Sequence, residues 1–377
     1  MSDAPPLGIV GPYPPFRGGI AQFTERFHRA LEQSGQPAIG VSFRRLYPSI
    51  LFPGKSQLDG GAAVRIEASC LLDSIGPLSW RKTATALQQR GVREVVFMHW
   101  MPFFAPAYAS VARRLADADI ASSAIVHNAT PHERQPFSAP LSRRFLTRCT
   151  RVVALSETVR RDLAAIGIRE GVDVRHHPTY DQFGDGMDRM KAREQLGLPP
   201  DRRVMLFFGL VRHYKGVDIL VDALSRMQSD ALLVVAGEWY EDRAKVDAMI
   251  RAQGLADRVR LVDRYIPDPE VGAYFSAADF VVQPYRHATQ SGVVQTAFHF
   301  GCPVVVSGVG GLPEMVEHGT EGLVVAPEDP ESLAAALDRL EDDALLDRLA
   351  DGARAARSRF TWDHFIEPFL LQPSTDS

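Results

Sequence analysis

Short apolar runs alternate with amphipathic stretches along the whole chain. Leu7–Val10, Val95–Met98, Ala124–His127 and Val152–Leu155 punctuate the first half. Val204–Phe208, Leu232–Ala236, Phe280–Gln283 and Val304–Ser307 punctuate the second. Continuous apolar runs this short suit parallel strands covered by helices on both faces. Between them lie helical patterns such as Ile20–Glu32, where Ile20, Phe23, Phe27, Ala30 and Leu31 form one stripe. The alternation predicts an α/β chain with doubly wound sheets.

At 377 residues the chain is long enough for two domains. The stretch His176–Gly186 is rich in His, Pro, Asp and Gly and has no periodicity, which predicts an interdomain linker. The expected division is 1–186 for the first domain and 187–360 for the second. An aromatic segment, 361–377, is expected to fold back on the first. No internal repeat points to a solenoid or propeller. No apolar run approaches the ~18 residues that cross a bilayer, and Met1–Pro6 lacks the layout of a signal peptide. Cys70, Cys149 and Cys302 lie far apart, without redox or zinc spacing. A cytoplasmic protein with reduced thiols is the expectation.

Charge adds an asymmetry. Residues 1–180 carry 22 Lys and Arg against 14 Asp and Glu, whereas the whole chain has 42 against 46 and a net charge of −4. A basic first half suits an anionic lipid, a phosphorylated acceptor or a membrane surface; drift in surface composition is the alternative. Within it, Pro140–Arg151 interleaves Arg143, Arg144, Arg148 and Arg151 with Leu141, Phe145 and Leu146. That pattern is either a helix lying on anionic lipid, giving peripheral contact with the inner membrane face, or a solvated helix face. No basic run interleaved densely with aromatics suggests nucleic acid.

Four segments carry candidate chemistry. Gly18-Gly19 follows a strand and a Pro-rich turn and opens a helix, where backbone N–H groups can meet a phosphate or sugar oxygen. A ligand-free glycine turn is the alternative. His127-Asn128-Ala129-Thr130-Pro131-His132-Glu133 sits after a strand, at the edge where open α/β sheets bind ligands. There His127 could hydrogen-bond a sugar hydroxyl, and His132 or Glu133 could orient an acceptor or move a proton. In Phe208–Gly216, Gly209 ends a strand and Arg212 and Lys215 follow in the turn, as a diphosphate clamp requires. From Pro284 to Val325, Ser291-Gly292 opens a helix over Val293–Phe300, giving a second backbone nest, and Gly310-Gly311 leads to Glu314.

Taken in order and spacing, the Gly-Gly-Ile turn, the His127 loop, Gly-x-x-Arg-x-x-Lys-Gly and the Gly-x-Pro-Val-Val, Gly-Gly-x-Pro-Glu and Gly-Leu-Val-Val blocks resemble bacterial glycosyltransferase family 4. The Ala-Thr-Gln-Ser-Gly run at 288–292 is similar to a subgroup linked to cell-surface polysaccharide assembly. The resemblance implies a GT-B fold: two Rossmann-like, doubly wound domains with an interdomain cleft. It implies a nucleotide-sugar donor, UDP- or GDP-linked, held mainly by the second domain, and a glycan or lipid-linked acceptor held by the first. It implies hexosyl transfer with retention of configuration and no cofactor or obligatory metal. Arg212 and Lys215 would take the diphosphate. Gly18, Gly19 and His127 would approach the donor from the first domain. Gly209, Ser291, Gly292 and Val293 would line it, and Tyr265-Ile266-Pro267 would grip the base. The family's two glutamates, seven residues apart, fall here on Ala288 and Thr296, with Gln290 and Gln295 as stand-ins. The turn arginine usually follows the glycine directly, where this chain has Leu210. Two other functions fit the same architecture: a nucleotide-sugar epimerase, and a non-catalytic nucleotide-sugar-binding subunit.

Overall fold

A computed structural model describes residues 4–48, 56–59, 64–129 and 138–370. It divides into two units, residues 1–176 with the C-terminal stretch from Trp362, and His177–Thr361.

The first unit is built on seven parallel strands: β1 (Leu7–Val10), β2 (Ala38–Arg45), β3 (Ser69–Asp73), β4 (Glu94–His99), β5 (Ala121–Val126), β6 (Arg151–Ala154) and β7 (Val172–Val174). Their order is β3-β2-β1-β4-β5-β6-β7. Helices α1 (Gly19–Gln33), α2 (Pro77–Gln89), α3 (Ala105–Ala116), α4 (Ser138–Leu146) and α5 (Glu157–Ala165) connect them. The second unit has β8 (Val204–Phe208), β9 (Leu232–Ala236), β10 (Val259–Val262), β11 (Phe280–Gln283), β12 (Val304–Ser307) and β13 (Gly322–Val325), ordered β10-β9-β8-β11-β12-β13. Its helices are α6 (Arg189–Leu196), α7 (Val217–Arg226), α8 (Ala244–Ala252), α9 (Asp268–Ala277), α10 (Gly292–His299), α11 (Leu312–Met315), α12 (Pro330–Asp338) and α13 (Asp343–Ala356). All strands run parallel, and in each sheet the order of strand addition reverses once, between β1 and β4 and between β8 and β11. In doubly wound sheets the strand ends at such a switch point splay apart and leave a crevice for ligands.

The strand sequences explain the cores. The central strands β8, β9, β11 and β12 are buried almost throughout, as apolar runs covered on both faces must be. Phe207, Phe275, Phe280 and Phe298 fill the second core; Phe97, Phe104, Tyr108 and Phe145 fill the first. Edge strands such as β10, with Arg260 exposed, lack that continuous run.

The unit boundary falls ten residues before the sequence-based division at 186. The linker packs on the second unit instead, with His299 Nε2 2.7 Å from the Gly184 carbonyl oxygen. The last described helix, α14 (Trp362–Ile366), belongs to the first unit. Trp362 and Phe365 meet Phe23 of α1 with ring centroids 5.2 and 5.5 Å apart, and Phe369 meets Phe27 at 5.2 Å.

Of the two readings of Pro140–Arg151, the solvated helix face fits the structure. It is α4 followed by a turn, and β6 begins at Arg151. Phe145 and Leu146 are buried, with the Phe145 ring 5.3 Å from both Phe97 and Tyr108. Arg151 reaches the C-terminal segment, its guanidinium 5.7 Å from the Phe369 ring centroid. The apolar face is spent on the core, so this helix has none to insert into lipid.

Candidate functional site

The second unit's switch point gathers most of the candidate residues. After β8 the chain turns at Gly209, forms one 3₁₀ turn over His213–Lys215, and enters α7. The turn is zipped to the loop after β11: the Arg286 N–H donates to the Tyr214 carbonyl oxygen at 2.7 Å, and the Arg286 guanidinium to that of His213 at 2.8 Å. Arg286 also holds Asp218, the first acidic residue of α7, through two hydrogen bonds of 2.9 and 2.8 Å. This pairing uses the acid nearest the turn and fixes the backbone that carries Arg212 and Lys215.

Gly216 makes the tight closure possible. Its φ is 69°, and a Cβ placed there would stand 2.1 Å from the Pro284 carbonyl oxygen. Gly216→Ala is therefore expected to destabilise the protein by about 2–4 kcal/mol, from left-handed strain plus a backbone clash that must be relieved by parting the loops. Denaturant unfolding checks this; a loss under about 0.5 kcal/mol would show that the two loops are free to separate.

Lys215 points across this turn. Its Nζ lies 3.2 Å from the position a Gly209 Cβ would take and 5.5 Å from the Tyr285 ring centroid. Burial, and then the Arg212 charge, lower its pKa from 10.5 to about 8. The Arg212 guanidinium sits 4.9 Å from the Tyr240 ring centroid, on the loop after β9. Among the described residues neither cation has a carboxylate within salt-bridge distance. Other basic residues of this unit, such as Arg193, Arg264 and Arg286, do.

The loop after β11 completes the arrangement. Ser291 caps α10, its hydroxyl accepting from the Val293 N–H at 3.2 Å. Tyr285 is buried beside Lys215, and that burial pushes its phenol pKa up. Val293 lies beside Gly209, its Cγ2 3.9 Å from where a Cβ would be. The structure thus brings Gly209, Lys215, Ser291 and Val293 together, with Tyr285 between them. At Gly292 an added Cβ would stand 2.6 Å from the Tyr180 ring, so the helix start is open only to glycine.

Several expectations fare differently. The Thr296 hydroxyl donates to the Gly292 carbonyl oxygen at 2.9 Å, which commits its proton within α10. Gln295 is buried, its amide 3.5 Å from Met315 Sδ of α11, so it faces the core rather than a ligand. Gln290 is half-buried in the loop before α10. Tyr265 and Ile266 lie beyond the end of β10, with Ile266 buried in the core. Glu314 lies in the short helix α11, after a loop tied back by the Gly311 N–H donating to the Ala288 carbonyl oxygen at 3.2 Å. Sequence reasoning missed Tyr240 and Tyr285, which flank the two cations. Tyr285 lies within the quoted Pro284–Val325 segment and Tyr240 outside all four, and only the fold brings both to the clamp.

In the first unit, Gly18 precedes α1 with space beyond it, and Gly19 is the first helical residue. His127 follows β5 and is 1% exposed, its ring meeting Phe23 edge-on at 4.7 Å. Its neighbour His99, at the end of β4, is buried beside Ser142, and burial lowers its pKa to about 4. His132 and Glu133 lie outside the described residues.

Comparison with known proteins places part of the chain. Residues 202–343 match the family model for Glycosyl transferases group 1. A D-inositol 3-phosphate glycosyltransferase of Xylanimonas cellulosilytica is 37% identical over 190 residues, covering 49% of this chain and 45% of that one. Another, from Catenulispora acidiphila, is 36% identical over 208 residues, covering 52% and 49%. The matched stretch thus spans about half the length of these relatives. Among solved structures, a sucrose-phosphate synthase from Thermosynechococcus elongatus aligns over 97% of both chains, with a TM-score of 0.75 and 19% identity. Anabaena HepE in complex with UDP aligns over 97% of this chain and 98% of its own, with a TM-score of 0.73 and 18% identity. Residues 202–343 of the second unit therefore carry the match to group 1 glycosyltransferases, in a chain that has the GT-B fold throughout.

Proposed function

We propose that this chain is a retaining glycosyltransferase that holds the diphosphate of a UDP- or GDP-sugar at the switch point of its second unit. One observation carries the reading: Arg212 and Lys215 stand there without a carboxylate partner, beside the N-terminus of α10 that Ser291 caps. A desolvated, unpaired lysine is costly in the free protein. An anionic ligand would offset that cost, and the helix N-terminus favours the same charge.

In the proposed reaction the bond between the sugar's anomeric carbon and the leaving phosphate oxygen breaks, and an acceptor hydroxyl bonds to the same face. The acceptor proton passes to the departing diphosphate, and Lys215 and Arg212 stabilise the negative charge growing there. Gly209 and Val293 line the path, and Tyr265-Ile266 beyond β10 are assigned to the base. HepE has also been solved with UDP-glucose, which favours a uridine donor. We assign the acceptor, a glycan or a lipid-linked sugar, to the first unit, with no metal required.

The pH dependence of UDP binding tests the clamp. Lys215 must be protonated to bind the diphosphate, and in the free protein it loses its proton near pH 8. Affinity should be level below that value and fall about tenfold per pH unit above it, until the raised pKa of the bound lysine is passed. Calorimetric titration at pH 7 and pH 9 reads this directly, and Arg212→Ala should bind at least about tenfold more weakly at pH 7. Equal affinity at both pH values, or wild-type affinity in Arg212→Ala, would remove the clamp.

A further inference from the structure

Residues 177–184, which open the second unit, are tied to α10 at both of its ends. At the helix's end, His299 Nε2 donates to the Gly184 carbonyl oxygen at 2.7 Å. Close by, Phe298 stacks on Phe360 with ring centroids 6.2 Å apart. The Phe360 carbonyl oxygen in turn accepts from the Thr179 N–H at 2.9 Å and from its hydroxyl at 3.3 Å. At the helix's start, the Tyr180 ring lies against Gly292, the first helical residue. A Cβ at Gly292 would stand 2.6 Å from Tyr180 Cε2, so the ring rests on the bare backbone of the turn assigned to the diphosphate.

Hydrogen bonding dictates how that ring is held. His177 and Tyr180 are both buried, with ring centroids 4.8 Å apart. His177 Nδ1 lies 2.7 Å from the Pro178 carbonyl oxygen, and its Nε2 lies 3.2 Å from the Tyr180 hydroxyl. A carbonyl oxygen only accepts, so Nδ1 carries the proton. Burial lowers the His177 pKa to about 4, which leaves the ring neutral at pH 7. A neutral imidazole protonated at Nδ1 offers Nε2 as an acceptor, and the Tyr180 hydroxyl donates to it. Pro178 thus orients the imidazole, and the imidazole orients the phenol. Neither ring is charged at pH 7, so the pair bears on the neighbouring site through position.

We propose that His177 and Tyr180 are positioning residues of the donor site: their hydrogen bond seats the Tyr180 ring against Gly292 and so sets where the N–H groups at the start of α10 are aimed. The proposal rests on the diphosphate reading given above and adds residues that act through Gly292 rather than through the ligand. The unpaired N–H groups of a helix start share one direction, and a hydrogen bond weakens steeply as its angle departs from linear. A small tilt of α10 therefore lowers affinity for the diphosphate without removing any donor.

Calorimetric titration of UDP at pH 7 into the full chain tests it, with Tyr180→Phe, His177→Leu, the double variant and His177→Gln. Tyr180→Phe removes the donor and His177→Leu the acceptor of one hydrogen bond. Each should weaken UDP binding by about 3–30-fold, the scale for residues that tune a site without touching its ligand. The double variant should bind no more weakly than the weaker single one, because both break the same bond. His177→Gln, whose amide oxygen can still accept from Tyr180, should recover part of what His177→Leu loses. Without UDP, amides at the start of α10 should exchange faster in Tyr180→Phe and His177→Leu, while β8 and β9 keep their protection. Wild-type UDP affinity in both single variants, even with a lowered Tm, would make the pair purely structural and overturn the proposal; so would additive losses in the double variant. A wild type that binds no UDP would overturn the donor-site reading itself, and with it the site this pair is said to position.

Discussion

Lys215→Met is expected to lower kcat/KM for sugar transfer by about 10²–10³-fold, the usual effect of deleting one group that stabilises charge in a transition state. The same substitution is expected to raise the Tm of the free protein. Both effects have one origin. Folding places the Lys215 ammonium where burial and Arg212 oppose its charge, so its pKa falls from 10.5 to about 8. The native state therefore binds this proton more weakly than the unfolded chain does. Below about pH 8 the lysine costs stability; as pH rises from there toward 10.5 the cost is relieved. Methionine fills the space with no charge to desolvate. A rise in Tm of about 2–4 °C at pH 7, equivalent to about 1 kcal/mol in a domain this size, is the expected scale. Saturating UDP should narrow or reverse the gap, because only the wild type gains the ligand's stabilisation. A variant that loses activity and also melts lower would make Lys215 a structural residue rather than a strained functional one.

Phe365→Ala is expected to destabilise the first unit by about 3–5 kcal/mol, the cost of emptying a buried aromatic site. Phe365 is buried with its ring 5.5 Å from Phe23 and 6.1 Å from Phe27, so α1 loses much of its outer packing. Phe23 also supports His127, and Gly18-Gly19 begin the same helix. Hydrogen exchange should show lost protection in α1 with little change in β8, β9 and β11. Unchanged exchange in α1 would mean that α14 merely rests on this unit.

The two sheets were legible because their central strands are unbroken apolar runs. β1, β8, β9, β11 and β12 begin and end where the pattern places them. β2, β3, β7, β10 and β13 were not foreseen: the first four contain polar or charged residues such as Ser42, Asp73, Asp173 and Arg260, so their apolar content does not stand out from a loop, and β13 is a four-residue run opening on Gly322. Glycine spacing located the turn holding Arg212 and Lys215, because backbone closure at Gly216 demands glycine. Local pattern could not reveal that Gln295 faces Met315, or that Tyr240 and Tyr285 flank the cations. Those relations join residues from different strands and depend on strand order. The helix at 138–146 leaves two readings open for a related reason. A basic amphipathic stripe reads the same whether its apolar side meets lipid or a core, and only the packing of Phe145 distinguishes them.

The central claim is that the diphosphate of a nucleotide sugar sits between the Gly209–Gly216 turn and the start of α10. A crystal structure of the protein with UDP tests it most directly. The account predicts phosphate oxygens within about 2.7–3.2 Å of Lys215 Nζ and of a backbone N–H at the start of α10, with the Arg212 guanidinium turned toward them. A diphosphate bound elsewhere, with Lys215 still lying against Tyr285 and touching no phosphate oxygen, would contradict it.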